Sequence, residues 1–302
     1  MAVSCTKTFL RPVDIPAPTP PATPPVMSPG FNWANVAVRA ASALVLGGGA
    51  LFSVWVFPLD PPIWRAPFLA MIAVGGVLLS LEWSVMATPR AGVSATLVTG
   101  IAVLAVILLA FGGFYGPAWT VIIGGAALAA WAAGRAGDPA RDGAYGVFYI
   151  APACLVLVWL IESPQGRGWT LMLFACTWAA DILAYVAGNL LGGPRLWPRF
   201  SPNKTWAGFF GGLAGATAAA VAMAAIFMRL SLAGAALIGF LGGLATMGGD
   251  LWESMLKRRF GVKDSGDLIP GHGGLMDRVD GMMFAVMVFA VARLVVRFGW
   301  AH

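Results

Sequence analysis

Long apolar runs alternate with short polar gaps along this chain. A helix needs roughly 20 predominantly apolar residues to cross a bilayer. Nine stretches meet that requirement: 38–57, 66–86, 93–113, 115–133, 144–163, 168–191, 206–228, 232–253 and 279–299. The pattern predicts an all-α fold, a polytopic transmembrane helical bundle of about nine spanning helices. Between the third and fourth stretches the hinge Gly112-Gly113-Phe114-Tyr115-Gly116-Pro117 carries no charge. Its Gly and Pro residues fit either a tight turn or a kink.

Composition supports the membrane class and excludes a soluble globule. Of 302 residues, 59% are hydrophobic and only 11% charged, and mean hydropathy is +0.81. A net charge of +6 would suggest nucleic acid as a partner in a soluble protein. Here the placement of the charge matters more, and no nucleic-acid partner is expected. With nine spans and the N-terminus inside, fourteen Lys and Arg fall on the cytoplasmic side and five on the other. That imbalance favours N-in, C-out. Residues 1–30 hold eight prolines, lack the apolar core of a signal peptide, and read as a disordered cytoplasmic tail. The integral membrane domain is then 31–302. Cys5, Cys154 and Cys176 form no paired motif; the two in apolar segments are expected to pack.

The polar chemistry gathers late in the chain, about 168–302. In the first half Glu82 is expected to reach the interface, and helix packing is the default role. In the second half, 254–280 packs five basic and four acidic residues, a histidine and five glycines between two apolar spans. If the eighth span continues as a helix, Asp250, Ser254, Lys257 and Arg258 share one face. A carboxylate, a hydroxyl and two cations on one stripe suit a metal-bound polyphosphate. A snorkelling helix end would explain the basic residues, but not a carboxylate at the edge of a span. From Lys263 to Asp280, glycines allow close backbone approach. Asp264, Asp267, Asp277 and Asp280 offer hard oxygens, while Lys263, Arg278 and His272 offer phosphate contacts. In the motif Ser201-Pro202-Asn203-Lys204-Thr205-Trp206, Ser201 or Asn203 can cap the seventh helix. Lys204 and Thr205 can also hold phosphate at its N-terminus. Asp181, with Tyr185 and Asn189 on its face, is either functional or an interhelical hydrogen-bond partner. Small residues four apart, such as Gly208 with Gly212 and Gly239 with Gly243, allow close helix approach.

These residues resemble the phosphatidate cytidylyltransferase family. Its signature is matched from Ser254 through Lys257-Arg258, Lys263-Asp264, Gly266, Ile269-Pro270, His272-Gly273-Gly274 and Asp277-Arg278 to Asp280. The element Ser201 to Trp206 is similar to the family's second motif. Where that motif commonly continues Glu-Gly, this chain has Ala207-Gly208. The resemblance covers about 178–281. It implies transfer of CMP from CTP to phosphatidate, giving CDP-diacylglycerol and pyrophosphate in phospholipid biosynthesis. It also implies Mg2+, room for a second cation such as K+, a homodimer, and an inner-membrane enzyme acting on the cytoplasmic side. On that basis Asp250 and Asp277 are the expected metal ligands and, with Lys257 and Arg258, the catalytic set. Ser201, Lys204, Thr205, Ser254, Lys263, Asp264, His272, Arg278 and Asp280 are the expected substrate-binding set. Two other classes fit the composition. A CTP-dependent polyprenol kinase would demand an alcohol acceptor and release CDP. An ion-coupled transporter would need polar residues at the midplane and internal repeats, which this chain lacks.

Overall fold

The computed structural model describes residues 33–57, 62–228, 230–269 and 273–298. The proline-rich segment 1–30, Cys5 and His272 lie outside them. Nine α-helices occur among the described residues: α1 Trp33–Val56, α2 Ala66–Ala87, α3 Gly92–Phe111, α4 Tyr115–Ala136, α5 Ala140–Glu162, α6 Gly166–Leu191, α7 Trp206–Phe227, α8 Leu232–Arg259 and α9 Met276–Arg297. Eight of them, α2 to α9, are long and apolar enough to cross a membrane. In α1 the apolar stretch is Leu44–Val56. The expected all-α polytopic bundle is therefore present. One small element was not expected: a two-stranded antiparallel hairpin of β1 Arg195–Trp197 and β2 Ser201–Thr205, with Arg195 opposite Thr205. It leads directly into α7.

The turns follow from their glycines and prolines. The hinge between α3 and α4 is a tight turn, not a kink, and Gly113 takes the left-handed conformation at φ 78°. At the end of α4, Gly137 is left-handed and its N–H returns to the carbonyls of Ala133 and Gly134. Asp138 then accepts the amides of Arg90 (2.9 Å) and Ala91 (2.8 Å), which tethers the α4–α5 turn to the start of α3. Several hydroxyls inside the spans bond back one turn, as Ser80 does to Gly76 (2.7 Å) and Thr246 to Gly242 (2.9 Å), which satisfies those groups without water.

α5 is the central post. Of its apolar span 72% is buried, against 33–44% for the other spans, and it touches α2, α3, α4, α6 and α9. Its own Ile150, Val158 and Leu160 are almost fully enclosed, as are Trp83 of α2 and Phe289 of α9. The outer faces carry exposed Leu108, Ile123, Leu190 and Phe227. On a soluble protein such a surface would be a liability; against lipid it is the expected solvent-facing side. Cys154 and Cys176 are buried and unpaired, as packing residues.

The second half is built on glycine contacts, as its spacing predicts. A Cβ on Gly208 would sit 2.9 Å from the Ala184 carbonyl, and one on Gly215 would sit 2.6 Å from that of Ala179, so α6 and α7 meet backbone to backbone. Gly239 and Gly243 do the same for α8 against Ala216 and Ala220 of α7. With little hydrophobic drive between helices in lipid, such contact is what holds them together.

Candidate active site

α8 and α9 cross where both have a glycine. A Cβ on Gly249 would lie 2.6 Å from the Asp280 carbonyl oxygen, and one on Gly281 would lie 3.0 Å from that of Thr246. No larger residue fits either place without parting the helices. The crossing sets the carboxylates of Asp250 and Glu253 on α8 beside those of Asp277 and Asp280 on α9.

The carboxylates are held differently. Lys257 ion-pairs both Asp277 and Glu253, reaching Glu253 Oε2 at 3.2 Å. The second oxygen of Asp277 accepts from the Gly274 amide (3.0 Å), the Ser265 amide (3.2 Å) and the Ser265 hydroxyl (3.1 Å). Asp277 is thus fixed from the loop side and presents one oxygen to Lys257. Asp280 faces Glu253 closely enough for the two acidic groups to interact, while Glu253 Oε1 is buried with no hydrogen-bond partner. From the other direction Lys204, in β2, ion-pairs Asp250. Asp181 of α6 lies within electrostatic reach of Asp250, Lys204 and Arg278. The sequence left two readings open for Asp181; its place is beside this cluster.

The expected stripe on α8 divides. Lys257 turns inward, whereas Arg258 is exposed and donates to the Val262 carbonyl at 3.2 Å. Ser254 is partly buried next to Glu253. Lys263, Asp264, Asp267 and Arg278 are exposed on the loop and the first turn of α9. Ser201 begins β2 opposite Trp197. The cap of α7 is neither Ser201 nor Asn203. Thr205 takes that role, its hydroxyl accepting the Gly208 amide at 3.1 Å, because the hairpin delays the helix start.

The first half contributes more than packing. Glu82 does not reach the interface; it is 2% exposed. Its Oε1 accepts the Leu275 amide (2.6 Å), and its Oε2 accepts the Met276 amide (2.7 Å) and the Ser265 hydroxyl (3.1 Å). Burying a carboxylate costs several kcal/mol. Two amide bonds to a charged acceptor, at roughly 1.5–3 kcal/mol each, a share of the Ser265 hydroxyl and the positive end of α9 offset it. Asp142 of α5, also buried, ion-pairs Arg259 of α8. Beneath the cluster Trp83, Tyr145, Tyr149 and Phe260 form an aromatic wall, and Trp252 donates to the Tyr145 hydroxyl at 2.7 Å. A signal for Glu82 existed in the sequence: it is the one charged residue in the run from Ala66 to Ala87, and ionisable groups inside spans are rarely idle. Glu253 has no such isolated setting, since Asp250 and Lys257 flank it.

Among the described residues no three His, Cys, Asp or Glu side chains gather tightly enough to enclose a metal ion by themselves. Mg2+ in general keeps waters and is commonly held by one or two carboxylates together with substrate phosphates. The donor set is all hard oxygen, and the unpartnered Glu253 oxygen shows acidic capacity that the lysines do not use up.

Comparison with known proteins agrees with this chemistry. Residues 37–296 match the cytidylyltransferase family. The chain is 36% identical over 266 residues to a phosphatidate cytidylyltransferase of Brucella abortus, covering 83% of this chain and 90% of that one. It is 40% identical over 151 residues to the enzyme of the same name from Pseudomonas aeruginosa, covering 48% and 54%. Against that of Synechocystis it is 47% identical over 124 residues, covering 40% and 41%.

Proposed function

The chain belongs to the cytidylyltransferase family, and from that premise we propose that it transfers CMP from CTP to phosphatidate, giving CDP-diacylglycerol and pyrophosphate. The observation that carries this reading is the convergence, at one end of a membrane bundle, of Lys204, Asp250, Glu253, Lys257, Asp277 and Asp280 from β2, α8 and α9. A membrane-bound phosphate and a soluble triphosphate can meet only at such a depth.

In this reading a phosphate oxygen of phosphatidate attacks the α-phosphorus of CTP, and the bond from that phosphorus to the β-phosphate bridge breaks. The nucleophile is already an anion, so no strong base is needed. Lys257 and Lys204 now neutralise carboxylates; when substrate binds, their ammonium groups exchange toward phosphate oxygens. Arg258, Lys263 and Arg278 rim the site, where exposed cations draw a polyanion inward. Ser201, Thr205, Ser254, Asp264 and His272 complete the substrate set by resemblance. By the resemblance Asp250 and Asp277 would hold Mg2+, which when bound would stabilise negative charge on the departing pyrophosphate. K+ as a second cation and a homodimer belong to the same proposal. So does an inner-membrane location with the acidic end facing the cytoplasm, where CTP is available.

The test is direct. Purified protein is incubated with cytidine-labelled CTP, phosphatidate and Mg2+. A labelled lipid formed with one pyrophosphate per turnover is the expected result. Release of CDP with an alcohol as acceptor, or movement of substrate without CTP consumption, would overturn it.

A further inference from the structure

Glu82 stands one helix away from the proposed chemistry and touches none of the expected substrate groups, yet its carboxylate is the most heavily used among the described residues of the first half. Resting on the reading above, we propose that Glu82 is a positioning residue for the transferase reaction, holding the first turn of α9, and so Asp277, in its working orientation.

Three observations converge. First, Glu82 takes the free amides of both Leu275 and Met276, at 2.6 and 2.7 Å. Those donors at a helix start have no partner within the helix, and Leu275, the residue before α9, makes no side-chain cap. A residue from α2 therefore caps α9 in place of a local one. Second, the Ser265 hydroxyl lies 3.1 Å from Glu82 Oε2 and 3.1 Å from Asp277 Oδ2. One hydroxyl stands between the two carboxylates with a single proton to share, so a shift of Glu82 is felt at Asp277 through one atom. Third, the backbone is shaped around Glu82. A Cβ on Gly274 would lie 3.0 Å from each Glu82 carboxylate oxygen and would collide with the Ser265 hydroxyl, and one on Gly266 would lie 3.4 Å from Glu82 Oε1. The glycines of the motif are in part a socket for this carboxylate.

No charged side chain of the described residues ion-pairs with Glu82, so a plain stabilising ion pair does not explain its burial. Its partners are backbone amides and a hydroxyl, all on the segment that carries Asp277. That is how an orienting group is built.

The test compares wild type, Glu82→Gln and Ser265→Ala, each purified in detergent. Gln keeps size and shape but replaces one acceptor oxygen with a donor facing an amide. For Glu82→Gln the expected result is a kcat about 100-fold lower, the scale at which a small misplacement far from the bond being broken acts. CTP KM stays within about threefold. Hydrogen exchange of the Leu275 and Met276 amides becomes faster. Ser265→Ala keeps both amide bonds to Glu82 and loses only the bridge, so its kcat falls by a smaller factor, about tenfold, with CTP KM again unchanged. Rates are normalised to the folded fraction from thermal melts. Wild-type kcat in Glu82→Gln, or a loss that disappears on normalisation, overturns the proposal. So does a rise in CTP KM with kcat intact. If Glu82→Gln does not fold, the kcat of Ser265→Ala decides alone: a tenfold fall supports the bridge and an unchanged rate overturns it. An inactive wild type would instead refute the transferase reading, whereas an active wild type with indifferent variants refutes only the role of Glu82.

Discussion

Both ends of the bundle carry charge, but they spend it differently. At the end away from the acidic cluster, three arginines of the described residues make separate local contacts. Arg293 donates to the Pro164 carbonyl at 2.9 Å, Arg167 stacks on Trp55 at 5.0 Å, and Arg65 stands 3.9 Å from Glu162. These are local arrangements of the kind a helix end makes at a headgroup layer. At the other end the charges are shared. Lys257 serves two carboxylates on two helices, Asp277 answers to α8 and to the loop, and Ser265 bridges Asp277 to Glu82 on α2. Basic residues at a membrane boundary are thus weak evidence of function. Carboxylates from different helices made to face one another are strong evidence, because nothing about stability requires such a conflict.

The largest expected effect comes from breaking that conflict. Asp277→Asn and Asp250→Asn should each lower kcat by about 1000-fold, the upper scale for losing one preorganised electrostatic group, while melting and chromatographic behaviour stay near wild type. Near-normal turnover in either variant would remove that residue from the metal site. Next in size is Gly249→Ala. Its Cβ would press 2.6 Å from the Asp280 carbonyl and 3.0 Å from Gly281 Cα, so α8 and α9 must part. We expect kcat to fall by about 100-fold and stability by roughly 1–3 kcal/mol. An equivalent change at Gly48, where a Cβ meets nothing within 4 Å, should do neither; similar losses at both glycines would mean that the crossing has no special role.

Lys257→Ala sharpens the comparison further. The lysine is expected to exchange its carboxylates for CTP phosphates, so its loss should raise CTP KM by about tenfold, roughly 1.4 kcal/mol of binding, with a smaller change in kcat. Steady-state kinetics at saturating phosphatidate read this out. An unchanged KM would leave Lys257 as a structural ion-pair partner of Asp277 and Glu253.

How much of this was legible in the chain depends on the range of the interaction. Spans, turns and the glycine seams follow from local rules, and Gly208, Gly215 and Gly239 stand where their spacing places them. The convergence of Lys204, Asp250, Lys257 and Asp277 at one end was readable because helix direction alternates from one span to the next. Glu82 was visible as a lone charge in an apolar run, but its partners lie 183 to 194 residues away, a distance that no periodicity encodes. Arg258 stands one turn beyond Ser254 on the same helix, and the sequence does not encode that its side chain stays exposed and bonds back to the Val262 carbonyl. The hairpin 195–205 was hidden because its prolines, Pro198 and Pro202, read as loop, and two short strands satisfy each other only after they meet.

The smallest expected effect is the one that tests the contrast itself. Arg65 and Glu162 form a charge pair at the opposite end, 3.9 Å apart, with side chains 42% and 24% exposed. Pairs so open and so long contribute about 0–1 kcal/mol, and the second contact of Arg65, 5.7 Å above the Phe57 ring, is of similarly small worth. Arg65→Ala should therefore leave kcat and CTP KM within about twofold of wild type, and stability within roughly 0.5 kcal/mol. The same assays and melts used for Lys257→Ala measure it. If Arg65→Ala raised CTP KM as much as Lys257→Ala does, removing any cation at a helix end would weaken the enzyme alike. The acidic end would then owe its apparent importance to membrane charge in general. If the two variants differ as expected, the effect belongs to the geometry of α8 against α9, where one ammonium group must neutralise two carboxylates until a phosphate replaces them.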